Sequence, residues 1–592
     1  MISFSERWHF YRGHVKGLQQ SSAGGVVRIR LPSGLDEDKC DKLLSFLFDD
    51  EPLPPVSIND GDWFAKRYIQ WALAIQKHCR VLVSDRFYIS APERLDNGFV
   101  AYDVLIPMAV PLRQILASLQ WIDDFLETAA PLDTENHPAL MTTVEDDKRF
   151  SELKIALKKH AEPGLNYYWI ARAAYRMEIP LRRIAPAVYG LGTGCWSRWL
   201  DSTISDATPA IGMRIAKLKQ ETSDLLHSAG FPAPRHGMVE SNEHAIELAQ
   251  SIGFPVVIKP ADADQGRGVS AGLENAEDVT VAYELARAVS AQIMVQKHLV
   301  GFTHRLTVFN GKIIRAVKRI AGGVTGDGNL SVAELVKVAQ DDPRLRRMQR
   351  RSGVMVLSLD DEALGMLKRA GMTPDSVPAL NEYICLRRRD NVNAGGTNVE
   401  IALDQVHPDN RLLAIRASEL LRLDIAGVDL ITTDIARSWL ETEAGICEIN
   451  AQPQLGIRGQ REIYRAILAE LLPEPYRIPV HLALAPSSFE WSMTDKKELL
   501  MPLSCQGLSA REGLWIDGQQ VSRPFDTGFA AACALLARTD VNSALCCMTA
   551  EDVLKSGSPI DKVDSVIVIG HDTSTPEERE ALRQAQNLIE KR

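Results

Sequence analysis

The stretch Phe254-Pro255-Val256-Val257-Ile258-Lys259-Pro260, running into Ala261-Asp262-Ala263-Asp264-Gln265-Gly266-Arg267-Gly268-Val269, does most to limit what this chain can become. An apolar β-branched run forms a strand, and ending it on a lysine and a glycine loop leaves an ammonium and free backbone N–H groups beside one another. A polyphosphate suits that arrangement. So does plain structure, because a lysine at a strand end can snorkel to the surface and Gly-Arg-Gly can be an ordinary turn. Residues further along the chain have to decide between the two.

At 592 residues the chain is too long for a single core, and length suggests roughly three to five domains. With 45% hydrophobic and 24% charged residues it has the composition of a globular protein rather than a disordered or fibrous one. The net charge of −10 argues against a dedicated nucleic-acid binder. Two local basic clusters, Arg344, Arg346, Arg347, Arg350 and Arg351, and Arg387 to Arg389, read either as solvated faces or as a site for an anionic ligand. The nine cysteines form no C-x-x-C pair and no cluster with His at metal spacing, so a reducing cytoplasm is expected. The N-terminus does not read as a signal peptide, and the longest apolar run, Gly528 to Ala537, is far short of a membrane span. Neither a nucleic-acid nor a membrane partner is expected.

From Met1 to about Pro163 strand-like pieces (Val26 to Leu31, Val81 to Val83) alternate with helical ones (Trp63 to Lys77, Leu112 to Leu126), which reads as an α/β accessory domain with Pro131 to Asp147 as a surface loop. Leu165 to Trp199, with Arg172, Arg176, Arg182 and Arg183, is ambiguous. A helix stripe follows through Ile215, Leu218, Thr222, Leu225, Leu226 and Ala229, stopped by Gly230 and Pro232. Beyond it strands and helices alternate: strand Val256 to Lys259, helix Ala276 to Val289, strand Gln292 to Gln296. Asn310-Gly311 joins Arg305–Phe309 to Lys312–Val317 as a hairpin, since both turn residues tolerate positive φ. A second pair, Val428 to Ile431 and Ile446 to Asn450, lets Asp429, Glu448 and Asn450 converge. Two acids and an amide suit Mg²⁺, a hard cation shared with nucleotide phosphates, although two solvated carboxylates on an exposed sheet would look the same.

Together these pieces resemble the ATP-grasp domain of cyanophycin synthetases. The resemblance is carried by Ile215 to Thr222, Gly253 to Pro260, Gly266-Arg267-Gly268-Val269, Gly326-Asp327-Gly328, Asp375-Ser376-Val377-Pro378, Ala394-Gly395-Gly396-Thr397, Val406-His407-Pro408, Leu423 to Asp429 and Glu448-Ile449-Asn450-Ala451. It implies that Lys219 and Lys259 contact ATP phosphates, that Gly266, Arg267 and Gly268 form a lid, and that Val295, Gln296, Lys297 and His298 form the hinge that reads adenine. It further implies that Asp429, Glu448 and Asn450 hold Mg²⁺, that Arg315 and Lys318 stabilise the transferring phosphoryl group and the tetrahedral intermediate, and that Gly395, Gly396, Thr397 and Asn398 receive the peptide carboxylate. Four positions depart from the family pattern: Gln296 replaces a hinge glutamate, Thr303 an acid near the ribose, Gln265 a histidine, and Gln454 a glycine.

Cyanophycin synthetases also carry a second ligase similar to the Mur ligases, whose phosphate loop follows an Arg-Ile-Pro strand. Here Arg477-Ile478-Pro479-Val480 is present, but the loop reads Ala485-Pro486-Ser487-Ser488-Phe489-Glu490, without the lysine and glycines that cradle phosphates. Met548 stands where the family has a metal-binding glutamate, and the resemblance leads one to expect no last Mur-type domain after Arg592. The resulting expectation is an α/β (α+β) architecture: an N-terminal accessory domain at 1–163, an ATP-grasp ligase domain with lead-in at 164–472, and a truncated Mur-ligase-like relic at 473–592. ATP and Mg²⁺ are the implied cofactors, and a peptide or dipeptide substrate, a polymer product and a homo-oligomer (dimer or tetramer) the implied partners. The arrangement is similar to type 2 cyanophycin synthetases, which add β-aspartyl-arginine to a growing chain. A ligase making a single amide bond, and a non-catalytic binding protein, are the competing readings.

Overall fold

The computed structural model describes residues 2–30, 37–47, 53–54, 63–95, 99–129, 147–263, 267–342, 345–346, 349, 355–387, 390, 395–456, 461–570 and 574–591. The backbone groups into two compact units, Met1–Ser202 with Gly456–Arg592, and Thr203–Leu455. Segments 164–202 and 456–472, which the sequence groups with the ligase domain, lie by contact in the first unit.

In the first unit, strand Ser22–Ile29 pairs antiparallel with Ile2–Phe4, His9–Tyr11 and Val100–Pro107. Helices Trp63–His78 and Leu112–Ala129 bury Tyr68, Trp71, Leu119 and Trp121 in one core with Val27 and Val104 of the sheet. Val81 to Val83 form no strand; Val81 makes only an isolated bridge to Ala161. Of the expected loop Pro131 to Asp147, only Asp147 lies within the described residues, and its side chain accepts from the N–H groups of Arg149 and Phe150 to cap helix Lys148–Lys158. The ambiguous stretch after it resolves into helix Leu165–Arg176 and strands Leu181–Ala185, Val188–Leu191 and Arg198–Asp201.

The C-terminal part of this unit places Val480–Ala485 parallel between Ala544–Thr549 and Ser565–Val568. In the loop that follows Ala485, Ser487, Ser488 and Glu490 are exposed, but Phe489 is half-buried: it meets Trp491 edge to face with ring centroids 5.1 Å apart, and its N–H donates to Pro486 O at 3.0 Å. Met548 is fully buried in the core. Arg477 ties the two sequence segments of this unit together, pairing with Asp561 at 2.7 Å and donating to the backbone oxygen of Glu178.

The second unit opens with helices α1 (Ala210–Lys217) and α2 (Lys219–Ser228). The periodicity predicts one helix here, but Leu218 is extended (φ −97°, ψ 99°) and 39% exposed, so the stripe through it is broken. The break makes Lys219 the first residue of α2. Then come β1 (His236–Val239), α3 (Asn242–Ile252), β2 (Val256–Pro260), β3 (Ser270–Leu273), α4 (Ala276–Arg287) and β4 (Ile293–Lys297). They form an antiparallel four-stranded sheet in the order β1-β4-β2-β3, whose Val256, Ile258 and Val295 share a core with Ala245, Ala249, Val279 and Ala282 of α3 and α4.

A second sheet is built from β5 (Phe302–Phe309), β6 (Lys312–Ile320), β9 (Thr397–Ile401), β10 (Ile425–Thr432) and β11 (Gly445–Asn450), in the order β9-β6-β5-β10-β11. Strands β7 (Gly323–Thr325) and β8 (Tyr383–Cys385) pair separately. The β5–β6 turn has Asn310 at φ 44° and Gly311 at φ 73°, the conformation the hairpin expectation requires. One face of this sheet is apolar, with Leu306, Val308, Ala316, Val428, Leu430 and Ile449 buried together with Leu413 and Ala417 of α5 (Pro408–Leu420). The other face is polar.

Candidate active site

Strand register sets which side chains meet on that polar face. Arg305 stands opposite Asp429 and Val317, Thr307 opposite Arg315 and Gly427, Asp429 opposite Glu448, and Gly427 opposite Asn450. Residues directly opposite share a face, so Arg305, Arg315, Asp429, Glu448 and Asn450 form one surface. A β-bulge in β11 makes Cys447 an extra residue, which brings its thiol to the same cluster.

The central bond of the surface is the pair Arg305–Asp429. Arg305 Nη2 donates to Asp429 Oδ2 at 2.7 Å, Nε donates to Oδ1, and Arg319 Nη1 reaches Oδ2 at 3.4 Å. Burial works against the Arg305 charge, but the Asp429 carboxylate more than offsets this and raises its pKa. Gly427 makes room for the guanidinium: a Cβ there would sit 2.9 Å from Arg305 Cδ and 3.0 Å from Nη1. Arg315 is held by Glu400, with Nη2 donating to Oε1 at 2.6 Å, while Nη1 donates to Gln454 O at 3.4 Å.

The four-stranded sheet contributes Lys259. Burial lowers its pKa, the neighbouring Glu448 carboxylate raises it, and Lys219 lowers it further, so the two lysines and Glu448 lie within electrostatic reach of one another. Lys219 Nζ donates to Ala263 O, tying α2 to the loop after β2. The Cys447 thiol is pushed far up by burial and then by Asp429. Lys219 and Lys259 thus lie near Glu448, Arg305 and Arg319 bond Asp429, and Arg315 is paired with Glu400 on the same face: five cations beside three carboxylates, an arrangement that can accept a polyphosphate.

The remaining expected positions are placed as follows. Gly268 has φ +69°, and a Cβ would stand 2.9 Å from Pro260 Cγ, so glycine is needed there; Arg267 is exposed, and Gly266 and Gln265 lie outside the described residues. In the hinge Val295 is in the core, Gln296 is buried, and Lys297 is committed to structure, donating from Nζ to Gly253 O at 2.8 Å and Phe254 O at 3.0 Å. His298 N–H donates to Pro255 O, and burial, then Lys297, lowers the pKa of its imidazole. Gly395 and Gly396 are buried, while Thr397 and Asn398 begin β9, with Asn398 opposite Arg319 on the polar face.

Lys318 is not brought together with Arg315. They are three positions apart on one strand, an odd offset that sends them to opposite faces. Lys318 pairs with His304, and its Nζ lies 3.4 Å from the centroid of the Phe302 ring. The cations that do reach Asp429 are Arg305 and Arg319, which were not singled out from the sequence. Of the basic clusters, Arg346 pairs with Asp341 at 2.7 Å and Arg387 is buried against Asp360 at 3.0 Å; Arg344, Arg347, Arg350, Arg351, Arg388 and Arg389 lie outside the described residues.

Among the described residues no group of three or more His, Cys, Asp and Glu side chains is placed to hold a metal ion. The Asp429, Glu448 and Asn450 set is all oxygen when the amide is counted, which fits a hard cation. Both Asp429 oxygens already accept from arginine, so the Glu448 carboxylate and the Asn450 amide oxygen carry more of that fit.

Two family models match within this region: "Carbamoyl-phosphate synthase L chain, ATP binding domain" over residues 212–308, and "RimK-like ATP-grasp domain" over residues 382–468. The chain carries an ATP-grasp domain. It is also related to the cyanophycin synthetases, being 31% identical to that of Nostoc sp. over 431 residues, 70% of this chain and 47% of the relative. The enzyme from Synechocystis sp. is 29% identical over 65% of this chain and 45% of its own length. The chain therefore spans about half the length of the curated relatives it matches. A glutathione biosynthesis bifunctional protein from Pasteurella multocida is 30% identical over 44% of this chain and 36% of its own. A crystal structure of a bifunctional glutathione synthetase from the same organism gives a TM-score of 0.38 at 24% identity, covering 60% of this chain and 52% of that one. No helix among the described residues is long and apolar enough to cross a membrane.

Proposed function

We propose that this ATP-grasp domain is an ATP-dependent carboxylate–amine ligase, and that it extends a cyanophycin-like polymer by a dipeptide, β-aspartyl-arginine or an analogue. The observation that carries the first part is that Lys219, Lys259 and Glu448 lie within electrostatic reach of one another, with Asp429 opposite Glu448 on the neighbouring strand. A carboxylate does not react with an amine at neutral pH. One of its oxygens therefore attacks the γ-phosphorus of ATP, ADP leaves, and an acylphosphate forms; the amine then attacks the acyl carbon, phosphate leaves, and the nitrogen loses a proton to give the amide.

Lys219 and Lys259 neutralise charge on the phosphates as it is transferred. A magnesium ion held by Glu448, Asn450 and Asp429 would screen the same oxygens. Arg315 and Arg319 face the position of the developing oxyanion, and Asn398 with the glycines before it receives the acceptor carboxylate. The segment around Arg267 and Gly268 closes over the phosphates, which protects the acylphosphate from water.

The polymer reading draws on the similarity to cyanophycin synthetases and on the loop after Ala485, where Phe489, packed on Trp491, stands in place of a phosphate-binding lysine, so one nucleotide site is proposed in this chain. The test is incubation with Mg·ATP and candidate dipeptides, reading ADP release and sizing the product. A product ladder supports polymer extension; one discrete small amide replaces it with single-bond ligation; no ADP release with any amine removes the ligase reading.

A further inference from the structure

Arg315 is 8% exposed and held on two sides. Its Nη2 donates to Glu400 Oε1 at 2.6 Å and its Nε to Glu400 Oε2 at 3.4 Å, while Nη1 donates to Gln454 O at 3.4 Å. A guanidinium carries five N–H donors in a rigid plane. Three are used here, and the two left over sit one on Nη1 and one on Nη2. Strand register explains why the partner is a glutamate. Glu400 stands opposite Val317, so Arg315 is its diagonal neighbour, about 7–8 Å away between backbones and within reach only of long side chains. The pair does little for stability, because the Glu400 side chain is 51% exposed and solvated ion pairs contribute little. Its two-point contact does fix the plane of the guanidinium.

Resting on the role proposed above for Arg315, we infer that Glu400 is a positioning residue for the ligase reaction. Glu400 holds Nε and Nη2, and so sets the direction in which the two remaining N–H groups point. Two donors on neighbouring nitrogens of one plane can take two oxygens of a single group at once, which suits the tetrahedral centre through which the amine displaces phosphate. A guanidinium free to turn about its side-chain torsions would meet that centre in the right pose only part of the time. A lysine in its place is a point charge, with no plane for a carboxylate to fix. β9 also begins at Thr397 and Asn398, proposed to receive the acceptor carboxylate, and Glu400 follows Asn398 on the same face of that strand. The strand that receives the acceptor is thus the strand that aims Arg315.

The experiment is a double-mutant cycle read in steady-state ADP release by the full chain, with Mg·ATP, β-aspartyl-arginine and an oligomer of that dipeptide as the carboxylate. Arg315→Ala should lower kcat about a hundredfold and Glu400→Ala about tenfold, with the KM for Mg·ATP within about twofold in both. The double variant should be no slower than Arg315→Ala alone, because a positioning residue then has nothing left to position. Glu400→Gln keeps the volume and one acceptor oxygen; its kcat should fall between those of Glu400→Ala and the unsubstituted chain, and it replaces Glu400→Ala in the cycle if that variant does not fold. Unchanged kcat on loss of the Glu400 carboxylate, or losses that multiply in the double variant, overturns the inference while leaving Arg315 in the chemistry. Full activity of Arg315→Ala overturns the proposed role of Arg315 first, and no ADP release by the unsubstituted protein removes the ligase reading itself, so the failures are distinguishable.

Discussion

Arg305 grips Asp429 across neighbouring strands, with Nη2 donating to Oδ2 at 2.7 Å, Nε to Oδ1, and both side chains at least nine-tenths buried. Removing one member of a buried pair strands the other charge, which typically costs about 3–5 kcal/mol. Asp429→Asn should therefore destabilise the chain by that amount, read as a lower urea midpoint at pH 7. The double replacement Arg305→Met with Asp429→Leu should recover most of it, because no charge is then left buried. A loss under about 1 kcal/mol for Asp429→Asn would mean that the pair is solvated and contributes little to stability.

Lys318 and Arg319 are adjacent in sequence and on opposite faces, so their truncations should separate cleanly. Arg319→Ala removes a cation 3.4 Å from Asp429 and should lower kcat about a hundredfold, in the range seen when one group stabilising a developing charge is lost. Lys318→Ala removes a cation resting on Phe302 and should cost less than about tenfold. Steady-state ADP release measures both. Equal losses would return Lys318 to the chemistry.

The difference between these two residues shows what the chain's letters disclose and what they hide. Lys259 with its glycine loop, the Asn310-Gly311 turn, and the convergence of Asp429, Glu448 and Asn450 are local patterns, readable because period and turn chemistry act over a few residues. Arg305 and Arg319 acquire their role only from register, since Arg305 meets Asp429 across 124 positions of sequence. The bulge at Cys447 shifts facing by one residue, and no composition signal marks it. Leu218 fits a helical stripe by spacing yet breaks the helix, a tertiary outcome that makes Lys219 the first residue of α2, with its Nζ donating to Ala263 O in the loop after β2.

The claim that only one nucleotide site operates has its own test. Lys259→Ala and Glu448→Ala should each abolish ADP release, because one removes the ammonium beside the phosphates and the other the carboxylate nearest to it. Phe489→Ala should leave turnover unchanged, since that ring packs on Trp491 in the other unit. ADP release that survived Lys259→Ala and vanished with Phe489→Ala would transfer the reaction to the C-terminal part.

His304 sets a pH dependence that the catalytic groups do not explain. It lies on the apolar face of the five-stranded sheet, 3% exposed, with Nδ1 unpartnered. Burial, and then the Lys318 ammonium opposite, lower its pKa to about 4, against the weaker pull of its backbone partners and of Asp434. The folded chain thus holds His304 neutral where the unfolded chain, titrating near pH 6.5, already binds a proton. Because the unfolded state binds more protons between about pH 6.5 and 4, stability is fully present above that window and falls through it as pH drops. The loss from this one group is on the order of 3 kcal/mol by pH 4. Urea midpoints measured from pH 7.5 to 4 should fall accordingly, and His304→Gln should flatten that part of the curve while leaving the fall below pH 4, where carboxylates titrate. An unchanged slope in His304→Gln would place the acid sensitivity elsewhere.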